Sequence, residues 1–440
     1  MLRKTITPVI CLVLSCGSAW LSALAQEDVA IPHARLKTYH PAPSGFSQET
    51  LDLVASGEFS SATPASPIKL PSFTYTVTSS RDGKTYSGVM VGGTPFNGGA
   101  TSTTVPAKII PVIVKTVALG TAVNSNGVIQ VATGSTADHT TFNPVAVDNK
   151  CLTTPNNLPV AVLRQSPLFN HADFNFGGTD VGTTQGTDAF QRANFWGTIN
   201  RASYHVNLSP IQLTAPTLNV AAPSNGVGGL ALDLPTLIPG SCGRVALVDI
   251  GTIDNFVSKQ LSALVAQGVS PSNLPVFMFY NTAFTLGDPT NLGNCCVGGF
   301  HAAVNVGTVA NPVAQTVAVV DFDMTGFFIN NSGSGVLDTE IASHEFAEWM
   351  DDPLGNNPTP AWGNVGQVVG CSNVLEVGDP LSGTEAPRIA MPNGFTYHLQ
   401  ELAFFSWFYG ADDGGAPSLG VHNWFSDDGT FLASAGPVCQ

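Results

Sequence analysis

Charge is scarce in this chain. Only 11% of its 440 residues are Asp, Glu, Lys or Arg, and Lys and Arg together number 16. So few cations, against a net charge of −15, argue against nucleic acid or an anionic membrane surface as a partner. No Cys-x-x-Cys pair occurs, which argues against a cysteine zinc knuckle. A phosphate loop, a dinucleotide fingerprint and a Gly-x-Ser-x-Gly nucleophile elbow are all missing. After the N-terminal segment no apolar run approaches transmembrane length, so no membrane span is expected. There is no tandem repeat and no low-complexity block.

What is present begins with an export address. Arg3 and Lys4 precede an apolar run from Ile6 to Leu14, and Ala23-Leu24-Ala25 offers a cleavage site. Pro8, Ser15, Gly17 and Ser18 break the run, which disfavours the alternative of a membrane anchor; a lipoprotein signal at Cys16 fits poorly. Residues 1–25 are therefore expected to be a signal peptide and the mature protein to be secreted or extracytoplasmic. Removing Arg3 and Lys4 takes the net charge to −17. Six cysteines remain, Cys151, Cys242, Cys295, Cys296, Cys371 and Cys439, an even number that suits disulfides in an exported chain. The adjacent Cys295 and Cys296 are expected to send at least one sulfur to a distant partner.

Residues 26–68 show no sustained period and are expected to be a flexible lead-in, with a propeptide as the alternative. From 69 to 241 the chain is β-rich. Phe73–Val77 and Tyr86–Val91 flank a turn at Arg81-Asp82-Gly83-Lys84. Lys108–Leu119 and Val128–Thr133 continue the strand signal, and a helix is expected over Asp188–Ile199. From 242 to 440 the texture changes. A strand at Val245–Ile250 precedes a helix whose apolar face carries Ile253, Phe256, Val257, Leu261, Leu264 and Val265. Strands at Val276–Tyr280, Phe300–Val304 and Thr316–Val320 follow, then a helix from about Val336 to Met350 stopped by Pro353. That order is similar to the upper half of a zincin metallohydrolase. The expected class is α+β: a β-rich N-terminal region, then a zincin-like α/β domain of twisted sheet, backing helix and motif helix.

Six of the nine glutamates lie between 340 and 401, and two bracket a histidine in His344-Glu345-Phe346-Ala347-Glu348. Shuffled composition gives His-Glu-x-x-Glu about 0.004 times in such a chain, so the motif counts as signal. Leu337, Ile341, His344 and Glu348 share one helical face, so His344 and Glu348 extend an apolar stripe. A buried carboxylate there is costly unless a cation pairs with it, and no Lys or Arg occurs between 336 and 352. A divalent ion bound by His344 and Glu348 resolves the cost. Glu345 occupies the position that in zincins takes a proton from water rather than binding metal. The bland alternative is a solvated or structural acidic cluster. Further ligands are sought in Glu376 and Asp379, with Glu376 in the place of a gluzincin's downstream glutamate, and in His301 if its strand runs beside the helix. Zinc is the first expectation; manganese, iron and calcium also suit the hard donor set. Asp351 and Asp352 lie unfavourably at a helix C-terminus, which hints at a partner cation.

The run Ile341-Ala342-Ser343-His344-Glu345-Phe346-Ala347-Glu348, with Pro353 nine residues after the histidine, resembles the exordium or phosphate-induced secreted proteins. Glu376-Val377-Gly378-Asp379 and Cys296-Val297-Gly298-Gly299-Phe300-His301 match that family's later Glu-x-Gly-Asp and its cysteine followed by an aromatic-His pair. The resemblance spans about residues 245–380 and departs from the pattern at Pro380-Leu381, where a cysteine is expected nearby; Cys371 lies just upstream. It implies a secreted, zincin-like protein. Two weaker features are Asp412-Asp413-Gly414 and Asp427-Asp428-Gly429, turns rather than calcium loops. Phe404–Tyr409 is expected to be core, with a carbohydrate platform as the alternative. The expected function is a secreted metal-dependent hydrolase, a zinc metallopeptidase acting on a peptide or cell-envelope substrate. The alternative is a non-catalytic extracellular or cell-surface interaction protein with a structural metal.

Overall fold

Leu274–Tyr280 is buried at every position, so this strand needs a hydrogen-bonded neighbour on each edge and an apolar layer on each face. A computed structural model supplies both; it describes residues 36–37, 39–57, 66–96, 102–132, 139–152, 157–176, 179–199, 203–328, 336–363, 371–382, 385–410 and 425–426. The central sheet has five strands: β1 (Ser102–Pro111), β2 (His205–Gln212), β3 (Leu274–Tyr280), β4 (Gly299–Asn305) and β5 (Ala314–Phe322). Their spatial order is β2-β1-β3-β5-β4. The first four are parallel to one another and β4 is an antiparallel edge. β1 and β2 come from before position 242 and the others from after it, so the two regions read from the sequence share one sheet. The fold is mixed α+β and strand-rich.

Three helices matter for the site: α1 (Gly186–Asn194), α2 (Ile250–Ala263) and α3 (Glu340–Asp351). Side chains alternate between sheet faces along each strand. Phe277, Phe279, Val317 and Val319 pack with Ile253, Phe256, Val257 and Leu261 of α2. Val276, Met278, Ala318 and Val320 join a second cluster that contains Phe346, Ala347, Trp349 and Met350 of α3. Val265 departs from the expected apolar face and is 64% exposed. The reason is local: the α-helix ends at Ala263, and a short 3-10 turn stopped by the left-handed Gly268 rotates Val265 outward.

Other expectations need correction. The motif helix starts at Glu340, because Val336–Asp338 is drawn off as strand β6. It pairs parallel with β8 (Thr396–Gln400), which is antiparallel to β7 (Glu385–Ala390). The lead-in is tied down where it is described: Gln48–Ser56 is helical with Ser47 as its cap, and Ser44 bridges to Val304 on the edge strand β4. Cys295 and Cys296 pair with each other rather than with distant partners. Cys151 joins Cys242, 91 residues on, and Cys371 is also disulfide-bonded. The Phe73 hairpin forms as Ser72–Thr78 against Thr85–Val91. Phe405–Tyr409 is a buried helical turn, as expected of core. The signal segment and both Asp-Asp-Gly turns lie outside the described residues. No helix among those residues is long and apolar enough to cross a membrane.

Candidate metal centre

Every residue of α3 from Glu340 to Asp351 is buried, so its polar side chains must be satisfied inside the protein. The helix lies across β5, β4 and β8, with Trp349 Nε1 donating to Thr316 Oγ1 on β5 at 2.9 Å. This places His301, the third residue of β4, beside the motif. The loop after Val374 crosses Glu348, whose Oε1 accepts from Gly378 N at 3.0 Å. A side chain at 378 is excluded, since a Cβ there would lie 2.4 Å from His344 Nδ1. Gly299 has the same role beside Glu345, where an added Cβ would lie 2.8 Å from Cγ. Two glycines thus let backbone close directly over the motif.

The tautomer of His344 follows from one amide. Gln400 Nε2 donates to Gly378 O, so its Oε1 faces His344 Nδ1 at 2.8 Å and must accept a proton from it. The Nε2 lone pair then points at Glu348 Oε2, 3.0 Å away, and towards Asp379 Oδ1 at 3.7 Å. A lone pair facing carboxylate oxygens is repulsive unless a proton or a metal ion lies between them. Burial alone would lower the pKa of His344, but the carboxylates of Glu348, Glu345 and Asp379 together hold it well above the usual imidazole range.

The remaining donors converge on the same space. His301 Nδ1 is 3.6 Å from both Glu345 Oε2 and Glu348 Oε2, and its Nε2 is 3.9 Å from Glu376 Oε2. Two donors about 2.1 Å from one tetrahedral ion lie about 3.4 Å apart, so these separations suit a shared cation better than direct hydrogen bonds. Both His301 nitrogens, both Glu376 oxygens, Glu345 Oε2 and Glu348 Oε2 are buried without a hydrogen-bond partner. The ion-pair partners of Glu345, Glu348 and Glu376 are all imidazoles. Burial, then the charges of Glu348, Asp352, Asp379 and Glu345, push Glu376 well above the ordinary carboxyl range. Glu348 goes the other way: burial is outweighed by His344, His301 and His40, which bring it down to about 2. The orphaned polar atoms and the mixed imidazole-carboxylate set could hold a metal ion. Two overlapping triads meet ligand spacing, His301 with Glu348 and Glu376, and His344 with Glu345 and Glu348.

Two members escape sequence reasoning. His40 places Nδ1 3.1 Å from Glu376 Oε1 and Nε2 2.9 Å from Asp379 Oδ2. It comes from the lead-in, where nothing in His40-Pro41 marks a ligand. Gln400 sits in the alternating strand β8, which signals only a strand. The acids at the helix end have a simpler account than a cation. Asp351 accepts from the amides of Gln191 and Asn194 on α1, and Asp352 accepts from Asn357 N at 2.6 Å.

Over the motif, Leu36, Lys37, Gly298, Gly299, Ile341, His344 and Glu345 enclose a cavity of about 10 Å³. That is room for about one water molecule. Larger open clefts, of about 480 and 800 Å³, lie elsewhere, around Asp148 and Arg244 and around Arg81 and Tyr86. In comparisons with known proteins, no family model, no curated protein and no solved structure matches this chain.

Proposed function

We propose that the chain is a secreted metal-dependent hydrolase, a zincin-like peptidase in which one divalent ion, zinc first, is held by His344, Glu348, His301 and Glu376, with Asp379 beside them. The observation that carries this reading is His344 Nε2, turned by the Gln400 contact at Nδ1 towards a buried carboxylate oxygen 3.0 Å away. Such an ion would supply Lewis acidity, drawing electron density from a water oxygen and making its proton easier to remove. Everything else is work for the protein's own groups.

Glu345 is the base. It lines the water-sized cavity with His344. Burial raises its pKa, opposed by the neighbouring imidazoles of His301 and His344. A carboxylate of raised pKa is a stronger proton acceptor, which suits general-base catalysis near neutral pH. The missing side chain of Gly299 leaves room for Glu345 against the strand edge, and His301 Nδ1 lies 3.6 Å from its Oε2. The motif resemblance to the exordium proteins and the export signal support a secreted location. A peptide or cell-envelope substrate needs Leu36 and Lys37 to move aside, because they line the cavity.

That cover favours one second reading: a non-catalytic extracellular or cell-surface interaction protein whose ion is structural. A peptide-library assay on wild type and Glu345→Gln separates the two. Under the hydrolase reading the nearly isosteric amide keeps metal and fold but abolishes cleavage, since it cannot take a proton. Cleavage that persists in Glu345→Gln removes the mechanism. Wild type that binds metal but cleaves no peptide, with or without residues 26–45, leaves the structural reading.

A further inference from the structure

One turn before His344, a second set of donors meets at the start of α3. Asp338 ends β6, Glu340 opens the helix, and His398 lies on β8 directly across from Asp338. All three side chains are buried, at 6%, 2% and 5% exposure. His398 Nδ1 is 3.8 Å from Asp338 Oδ1 and 3.9 Å from Glu340 Oε2. It has no hydrogen-bond partner, although it is buried and points between two carboxylates. The contacts nearby leave that nitrogen unserved. Asp338 Oδ1 accepts from Glu340 N at 3.0 Å, while Thr339 N and Oγ1 both donate to the backbone oxygen of His398.

These separations are too long for hydrogen bonds and too short for unrelated charges. Donors about 2.1 Å from one ion lie between about 3.4 Å apart in tetrahedral geometry and about 4.2 Å apart when opposed. One imidazole with two carboxylates is a donor set for a first-row divalent ion; calcium and magnesium prefer all-oxygen cages. We infer that Asp338, Glu340 and His398 form a second metal site, for a divalent transition ion such as zinc, distinct from the centre around His344.

The site has a place in the architecture of the first. It joins the start of α3 to β8, and β8 carries Gln400 two residues beyond His398. Ser343 Oγ donates to Glu340 O at 2.7 Å and accepts from Gln400 N at 2.8 Å, so the two centres share one backbone clamp. An ion at His398 fixes the strand that orients His344, and its loss is expected to weaken zinc binding at the first centre by ~10-fold or more.

The test is zinc stoichiometry by elemental analysis of the exported full-length protein after loading and gel filtration. Wild type, His398→Ala, Asp338→Asn, His344→Ala and the His344→Ala/His398→Ala double variant are compared, each checked by circular dichroism. Two ions are expected in wild type, one in each single variant and none in the double variant. Asp338→Asn can still accept from Glu340 N, so it decides the matter if His398→Ala does not fold. A wild type with one ion, kept by His398→Ala and Asp338→Asn but lost by His344→Ala, overturns the second site and leaves the first. One ion lost by His398→Ala but kept by His344→Ala supports the second site and removes the proposed hydrolase. Two ions retained in both His398→Ala and Asp338→Asn overturn the assignment, and a metal-free wild type overturns both centres.

Discussion

Replacing Gln400 with methionine isolates the interaction on which the proposed ligand role of His344 depends. Methionine has nearly the same length but cannot accept from His344 Nδ1 or donate to Gly378 O, so both buried groups lose their partner. Each unsatisfied group costs about 1–3 kcal/mol, which places the loss of metal-free stability at about 2–6 kcal/mol. Metal affinity falls separately, since the imidazole is no longer held in the tautomer that presents Nε2. Loss of such a supporting hydrogen bond weakens binding by ~10–100-fold. That is about 1.4–2.7 kcal/mol, at about 1.36 kcal/mol per tenfold change. Zinc titration against a competing chelator, with thermal unfolding of the metal-free protein in parallel, reads the two effects independently. Gln400→Glu is the control. Its carboxylate still accepts from Nδ1–H, so it should recover most of the affinity while leaving Gly378 O unpaired. A methionine variant that binds zinc as tightly as wild type refutes the tautomer argument and with it the ligand role of His344.

Further outcomes follow from the same geometry. His344→Ala is expected to remove the ion of the first centre, and elemental analysis with chelator-dependent thermal unfolding checks it. Metal uptake should release protons. In the metal-free fold His344 and Glu376 both have pKa values raised above their unfolded values, so the folded chain holds more protons than the unfolded one. Metal-free stability therefore falls as pH rises through these raised values, while zinc affinity rises by roughly tenfold per pH unit for each proton displaced. Calorimetric titration in buffers of different ionisation enthalpy counts those protons, and zero release contradicts the assignment. Gly378→Ala forces a Cβ to within 2.4 Å of the His344 ring and should cost about 1–3 kcal/mol together with metal affinity; unchanged zinc binding would show that the ring is free to move. His40→Ala, which unties this segment from Glu376 and Asp379, should raise peptide turnover if Leu36 and Lys37 cover an active site, and lower zinc affinity without any turnover if the ion is structural.

The local pattern carried a good part of this molecule. Apolar runs such as Leu274–Tyr280 announced buried strands, because a strand enclosed on both faces has no polar side to show. The spacing of Ile253, Phe256, Val257 and Leu261 announced the backing helix. His344, Glu345 and Glu348 were legible for a related reason: carboxylates within an apolar helix that lacks Lys and Arg imply a partner from elsewhere. His301, Glu376 and Asp379 could be named as candidates, but only the packing of β4 beside α3 and the closure of the Gly378 loop brought them to the motif. His40 and Gln400 left no trace in local sequence. One comes from a segment without periodicity and the other from an ordinary strand, and their roles exist only once the lead-in bridges to β4 and β8 lies along the helix. The start of α3 illustrates the same division. Helical periodicity extends to Val336, yet Val336–Asp338 joins β8, because pairing with a strand satisfies its backbone where an extra helical turn would not. Periodicity and burial cost, then, specified the elements and the residues that could hold a cation. Tertiary packing alone chose the partners, because candidate ligands hundreds of residues apart meet only when the sheet order, the glycine contacts and the single Gln400 amide are in place.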